Sequence, residues 1–196
     1  MNVAIVKYNA GNIFSVKHAL KRLGIAAEVS ANPEVLTQAD KVIFPGVGEA
    51  KTTMEYLRHT GMDKLIQGLK QPVLGICLGM QLMCRHSDEG NVDCLHIFDT
   101  DVKHFEPENP EDKVPHMGWN SLRQLKGPLF EGVDEDEFVY FVHSFYVPDN
   151  ACNVATADYI LPFCAALQQN NFYATQFHPE KSGKIGEKIL SNFLSL

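Results

Sequence analysis

Pro72 to Leu82 reads Pro-Val-Leu-Gly-Ile-Cys-Leu-Gly-Met-Gln-Leu. An apolar run from Pro72 to Ile76 meets one cysteine, Cys77, and turns at once into Leu78-Gly79-Met80-Gln81-Leu82, with Gly75 and Gly79 two residues to either side of the sulfur. This is the strand-to-helix elbow pattern, G-x-nucleophile-x-G. A nucleophile on such an elbow sits in a strained backbone conformation, so its neighbours in space must lack bulk. The helix that follows aims its N-terminus at the nucleophile. That positive end favours a thiolate and offers free N–H groups to an oxyanion. A buried strand ending in a packed cysteine would read the same way, because free cysteine is a common core residue.

Upstream, Asn2–Val6 is a short, nearly continuous apolar run, the mark of a strand buried on both faces. Ala27–Val29 and Lys41–Phe44 read as further strands, the last ending in Pro45-Gly46-Val47-Gly48. Tyr8–Asn12 reads as a turn. After it, Ile13, Val16, Ala19, Leu20 and Leu23 recur at helical spacing up to a stop at Gly24. Asn32–Leu36 reads as a capped short helix with proline in its first turn. Glu49–Leu69 is helical in pattern with a break near Thr60-Gly61, and Leu78–Arg85 is the helix of the elbow. Strand alternating with helix implies a doubly wound α/β fold, a mostly parallel central sheet flanked by helices. Ligands of such sheets bind at the carboxyl ends of strands, where both Cys77 and the Pro45–Gly48 loop fall.

Downstream the pattern changes. Between Asp88 and Val114 the one candidate strand is Leu95–Phe98, and Phe105–Lys113 is a polar, proline-broken loop. Strand-like runs follow at Ser121–Leu125, Glu137–Val147, Asn153–Asp158, Phe163–Gln168 and Phe172–Gln176. They lie close together with turn residues between, so antiparallel strands are expected in this second half. Ser182–Leu194 is helical, with Ile185, Ile189, Leu190, Phe193 and Leu194 on one stripe. No linker or repeat divides the chain, and residues 1–196 read as a single domain.

Composition narrows the class. The net charge is −7 and no Lys/Arg cluster occurs, which gives no electrostatic support for binding nucleic acid or a membrane surface. The five cysteines have neither a framework spacing nor zinc spacing, and imply reduced thiols and no metal. The N-terminus lacks the basic and apolar regions of a secretory leader, and no apolar run reaches the ~18 residues of a membrane span. A cytoplasmic protein is expected.

A thiol at its ordinary pKa is only a few per cent ionised at neutral pH, so a catalytic cysteine needs a base. Of eight histidines, His178 stands out in Gln176-Phe177-His178-Pro179-Glu180-Lys181. Two apart at the end of a strand run, His178 and Glu180 can face the same side, and the carboxylate can hold the imidazole in one tautomer. Read alone, this is also a surface turn before the last helix. The Pro45–Gly48 loop reads alone as a turn, yet its glycines can bring backbone N–H groups to a ligand. With the Leu78 N–H it would make an oxyanion hole. Nucleophile, base with orienting acid, and oxyanion donors together are the parts of acyl transfer. His18 and His59 read as solvated, and His116 and His143 as structural hydrogen-bonders or site neighbours. Cys84, Cys94, Cys152 and Cys164 read as packed or incidental thiols.

In their order and spacing, Gly75–Gln81, Pro45–Gly48 and Gln176–Glu180 resemble the class I, triad-type glutamine amidotransferases over the whole chain. Tyr8–Asn12, Pro115–Asn120 and Tyr140–Phe145 narrow the resemblance to glutaminase subunits of imidazole glycerol phosphate synthases. The resemblance implies a glutaminase without cofactor that releases ammonia from L-glutamine through a cysteine thioester. The implied triad is Cys77, His178 and Glu180, with Val47, Gly48 and Leu78 at the oxyanion hole. Gly48, Gln81, Ser144 and Phe145 would contact glutamine. It further implies a heterodimer with a (β/α)₈-barrel cyclase subunit of the same synthase, docked on Asn12, Met117, Trp119 and Lys181. Read without the resemblance, Met117 and Trp119, in an expected loop, suit either an interface or a local core. The alternatives are a glutaminase of another synthase, such as the pyridoxal phosphate one, a γ-glutamyl peptidase and a regulatory relic. The first lacks reason to carry Pro115–Asn120, the second would place histidine where Leu78 stands, and the third has no need of a full triad.

Overall fold

The structure, a computed structural model, describes residues 1–8 and 12–196, so the middle of the expected Tyr8–Asn12 turn lies outside the described residues. In chain order the strands are β1 (Val3–Val6), β2 (Glu28–Ser30), β3 (Lys41–Gly46), β4 (Val73–Cys77), β5 (His86–Ser87), β6 (Val92–Asp93), β7 (Asp101–His104), β8 (His116–Ser121), β9 (Phe138–His143), β10 (Phe145–Tyr146), β11 (Asn153–Asp158), β12 (Pro162–Gln169) and β13 (Phe172–Thr175). The helices are α1 (Ile13–Arg22), α2 (Pro33–Gln38), α3 (Ala50–Thr60), α4 (Met62–Gly68), α5 (Leu78–Met83) and α6 (Gly183–Ser195).

A seven-stranded sheet in the order β11-β12-β13-β4-β3-β1-β2 forms the centre. From β13 to β2 all pairs are parallel, while β12 and β11 add an antiparallel edge. Alternation along each strand feeds two cores. Ala4, Val6, Val42, Phe44 and Val73 face α2 to α5, whereas Val3, Ile5, Ile43, Leu74 and Ile76 face α1 and α6. That two-sided burial explains why the parallel strands read as continuous apolar runs. Asn32 caps α2, its side chain accepting from the Glu34 N–H at 2.9 Å, and Gly61 at φ 72° breaks α3 from α4.

The parallel half follows the expected order closely, and the region between Cys84 and Asp136 does not. Leu95–Phe98 is no strand. Its N–H groups bond instead to the carbonyls of Leu82, Met83 and Cys84, closing the C-terminal end of α5. The strands there are the short β5, β6 and β7, which join β10 in a separate four-stranded sheet. Of the expected Ser121–Leu125 strand, only Ser121 lies in a strand, at the end of β8, and Arg123 makes an isolated bridge to Thr156. The strand lies earlier, at β8, which pairs with β9 as a two-stranded antiparallel sheet. Pro115–Asn120 is therefore mostly strand rather than the expected loop. The elbow helix stops at Met83, two residues short of the expectation, and β3 runs on through Pro45 and Gly46. Proline is tolerated there because β1 pairs with β3 only as far as Ile43, leaving no ladder bond for the missing N–H on that side. No helix among the described residues is long and apolar enough to cross a membrane.

Candidate active site

β3, β4 and β13 are adjacent and parallel, so their carboxyl ends open at one edge of the sheet. β3 leads into Val47 and Gly48, β4 ends on Cys77, and β13 leads through Gln176 and Phe177 to His178. These segments meet at a cavity of about 350 Å³, whose walls include Val47, Gly48, Cys77, Leu78, Gln81, Ser144, Phe145 and His178. The sequence candidates for nucleophile, base, oxyanion donors and substrate contacts thus share one cavity. Glu180 stands behind His178 rather than in the wall.

Cys77 holds φ 55° and ψ −109°, a conformation L-residues avoid, at the cost of about 1–3 kcal/mol. The bend is held because β4 is paired on both sides and α5 starts at the next residue. Gly79 is required here by contact: a Cβ on it would lie 1.9 Å from the Phe44 carbonyl oxygen. First-turn N–H groups of a helix have no intrahelical acceptor, and Leu78, the first residue of α5, lines the cavity with Cys77. Gly48, at φ 114°, gives the opposite wall a turn that a side chain would strain. Tyr8, buried, donates its hydroxyl to the Pro45 carbonyl at 2.5 Å and so ties that loop down.

The sulfur of Cys77 has polar neighbours at 3.8 Å in the Val142 carbonyl and the Gln176 amide nitrogen. His178 and Glu180 are 1% and 0% exposed at the side chain, with Nδ1 of the ring 2.7 Å from Oε1 of the carboxylate. The two do not alternate along a strand as expected. His178 is extended, but Pro179–Lys181 forms a 3₁₀ turn that folds Glu180 back under the ring. Ser182 pins this turn, donating to the His178 carbonyl at 2.6 Å and accepting from the Tyr140 N–H at 3.0 Å.

A carboxylate can only accept, so Nδ1 carries a proton and Nε2 is the free end of the ring. Nε2 and Glu180 Oε2 are the buried side-chain atoms without a hydrogen-bond partner among the described residues. Burial alone would discharge the imidazolium, yet the sulfur of Cys77 and the carboxylate of Glu180 outweigh it and raise the His178 pKa to about 10. No hydrogen bond closes on Nε2 in this conformation, but the sulfur is near enough to favour the charged ring. Burial pushes Cys94 and Cys164 up to about 12 and raises Cys84 and Cys152 as well.

Gln81 donates from Nε2 to the Phe145 carbonyl at 3.1 Å and to Gln176 Oε1 at 3.0 Å. The Phe145 carbonyl also receives His143 Nδ1 at 2.7 Å. His143 Nε2 must then accept, from His116 Nδ1 at 3.0 Å. Burial lowers His143 to about 3 and His116 to about 4, so this pair is neutral and structural. His143 is the site neighbour and structural hydrogen-bonder that was expected. Sequence reasoning missed Glu89, Val142 and Pro115 in the cavity wall and Gln176 behind it. Gln176 was findable, since it stands two residues before His178 on an extended run and so faces the same side. Glu89 carried no signal, because the short strands that place it have no local pattern.

The expected docking residues lie on β8, on the turn of residues 179–181 and at the start of α1. Met117 and Trp119 project from β8 with 63% and 55% of their surface exposed, and Phe138 beside them is 56% exposed. Trp119 packs edge-on to Tyr140 at 6.0 Å, and the Lys181 ammonium lies 5.7 Å over the same ring. Asn12 turns inward: its amide donates to Glu180 Oε1.

Known proteins share this sequence pattern. A family model described as Glutamine amidotransferase class-I matches residues 4–196. The chain is 67% identical over 196 residues to the Imidazole glycerol phosphate synthase subunit HisH of Bacteroides thetaiotaomicron, with all of both chains covered. It is 46% identical over 198 residues to the protein of that name from Escherichia coli strain K12, again with full coverage of both. Among solved structures, a glutamine amidotransferase superposes with a TM-score of 0.73 at 21% identity, over 98% of this chain and 97% of that one. That likeness concerns the fold alone. Family match and full-length identity converge: the chain belongs to the class I glutamine amidotransferases and, among them, to the HisH subunits of imidazole glycerol phosphate synthase.

Proposed function

We propose that this chain hydrolyses L-glutamine and hands the ammonia to a cyclase subunit of the same synthase. One observation carries the reading: the carboxyl ends of three adjacent parallel strands bring an elbow cysteine, a carboxylate-backed imidazole and a glycine loop to one cavity. The residue roles follow from that geometry. Cys77 Sγ attacks the δ-carboxamide carbon of glutamine. The oxyanion that forms is met by the Leu78 N–H and by the backbone of Val47 and Gly48, donors worth about 3–4 kcal/mol each in such sites. His178 delivers its proton to the departing ammonia while Glu180 supports the ring. Water, deprotonated by the same imidazole, cleaves the γ-glutamyl thioester and releases glutamate. Gln81 and the backbone of Ser144 and Phe145 hold the substrate's amino-acid end. Glu89, half-buried in the same wall, offers a carboxylate to its α-ammonium.

The partner in this reading is a (β/α)₈-barrel cyclase, seated on Met117, Trp119, Lys181 and the neighbourhood of Asn12. In it ammonia would complete imidazole glycerol phosphate and an aminoimidazole carboxamide ribotide, a step toward L-histidine. The heterodimer, the single domain over residues 1–196 and the absence of any cofactor belong to the same reading. Neither nucleic acid nor a membrane has a part in it. Five free cysteines suit a reducing compartment such as the cytoplasm. Glutamate release measured with and without a co-expressed barrel cyclase, and with its nucleotide ligand added, tests the proposal. Large stimulation supports it, and full activity of the isolated chain points to a stand-alone hydrolase.

A further inference from the structure

Gln176 is fully buried and contributes nothing to the mechanism above, yet its two amide atoms face two different parts of the site. Its Nε2 lies 3.8 Å from the Cys77 sulfur, and its Oε1 accepts from Gln81 Nε2 at 3.0 Å. Which end is which follows from the neighbours. The Phe145 carbonyl can only accept, so the Gln81 nitrogen must face it. That nitrogen also faces Gln176, which must therefore present its oxygen to Gln81 and its N–H to the sulfur. A flip of Gln176 would set two donors against each other at Gln81 and a carbonyl against the thiol.

The sulfur's other polar neighbour, the Val142 carbonyl, can accept from a thiol but repels a thiolate. Gln176 alone of the two donates to sulfur. Donors to a charged acceptor are worth more than donors to a neutral one, most of all where water is excluded. Ionisation of Cys77 therefore weakens the Val142 contact and strengthens the Gln176 contact. At the same time Gln176 uses up the Gln81 amide nitrogen, leaving the Gln81 oxygen as the group free to accept from a ligand in the cavity.

We propose that Gln176 is a positioning residue, whose single amide both stabilises the Cys77 thiolate and sets the orientation of the Gln81 amide toward the substrate. The proposal rests on the glutaminase reading of the site. It predicts separate effects for two substitutions, read in the complex with the cyclase partner. Gln176→Glu keeps an acceptor for Gln81 but puts a carboxyl oxygen at the sulfur. It should lower kcat about 10- to 100-fold, leave KM within about threefold and move the pH midpoint of Cys77 alkylation upward. Gln176→Met removes both bonds and should raise KM as well as lower kcat. Alkylation of the Cys77 peptide by iodoacetamide, followed by mass spectrometry across pH, reads the sulfur without glutamine. Thermal melts identify a variant that has lost its fold, and the near-isosteric Glu variant then decides alone. Wild-type kcat, KM and alkylation midpoint in folded Gln176→Glu would overturn the proposal. Continued glutamine hydrolysis by Cys77→Ala would instead overturn the reading beneath it.

Discussion

His178 and His143 border the same cavity, both are almost wholly buried, and they are driven in opposite directions. His178 rises to about 10 and His143 falls to about 3. Burial pushes both rings downward, so burial alone does not decide the outcome. What differs is the charge of the neighbours. The Nδ1 of His178 meets a carboxylate at 2.7 Å and its ring lies near an ionisable sulfur. The Nδ1 of His143 meets a neutral carbonyl at the same 2.7 Å, and its other nitrogen meets a second imidazole. A hydrogen bond to a dipole holds the ring in place but does not offset the cost of burying a cation. A full charge does both. In the proposed mechanism one ring carries the proton, while the other props the backbone that lines the site.

The contrast can be broken most severely at the sulfur. Cys77→Ala should abolish glutamine hydrolysis, a fall on the order of 10⁴-fold or more, with the fold kept. Undiminished turnover would remove the nucleophile. Glu180→Gln makes the surroundings of His178 resemble those of His143. Turnover should drop about 10- to 1,000-fold while Cys77 remains open to alkylation, and a wild-type rate would end the carboxylate's role. His143→Phe tests the prop. It should retain turnover within about tenfold but lose about 1–3 kcal/mol in denaturant unfolding, because the His116 N–H is left without an acceptor. A loss of turnover matching Glu180→Gln would make His143 a participant in the chemistry.

The gentlest test is pH. For His143 and His116 the folded pKa values lie below the unfolded value near 6.5. Their contribution to stability is present above that value and is lost as pH falls toward about 4 and 3. For His178 the sign reverses: its contribution is complete below the unfolded value and is lost as pH rises through about 10. The slope on either limb is at most about 1.4 kcal/mol per pH unit for each proton. Calorimetric melts from pH 4 to 10 should show a Tm maximum between the two limbs. In His143→Phe the acid limb should flatten and the alkaline limb should not.

The parallel half was readable because its signals are local. Gly24 and Gly61 stop helices, Asn32 caps one, and strands buried on both faces appear as unbroken apolar runs. Cys77 was readable for a related reason: it lies at a strand end between glycines whose spacing has a mechanical cause. His178 was readable from its place after a strand run, although a 3₁₀ turn rather than strand alternation brings Glu180 to it. Residues 84–136 were not readable, because what organises them is distant. The N–H groups of Leu95–Phe98 go to carbonyls of α5, and β8 finds its partner in β9 across a long connection. Asn12 was placed on the docking face by resemblance. The structure adds that its amide grips Glu180, a contact between segments 168 residues apart that no local pattern encodes.

The closure of α5 by Leu95–Phe98 has a mechanical consequence. The helix is only six residues long, begins directly after Cys77, and has its last carbonyls bonded by a segment from elsewhere in the chain. It cannot slide along its axis or unwind a turn without breaking those bonds. The sulfur is therefore mounted on a clamped peg. In the proposed reading, a docked partner then acts on the facing wall around Val47 and Gly48 and leaves the peg where it stands.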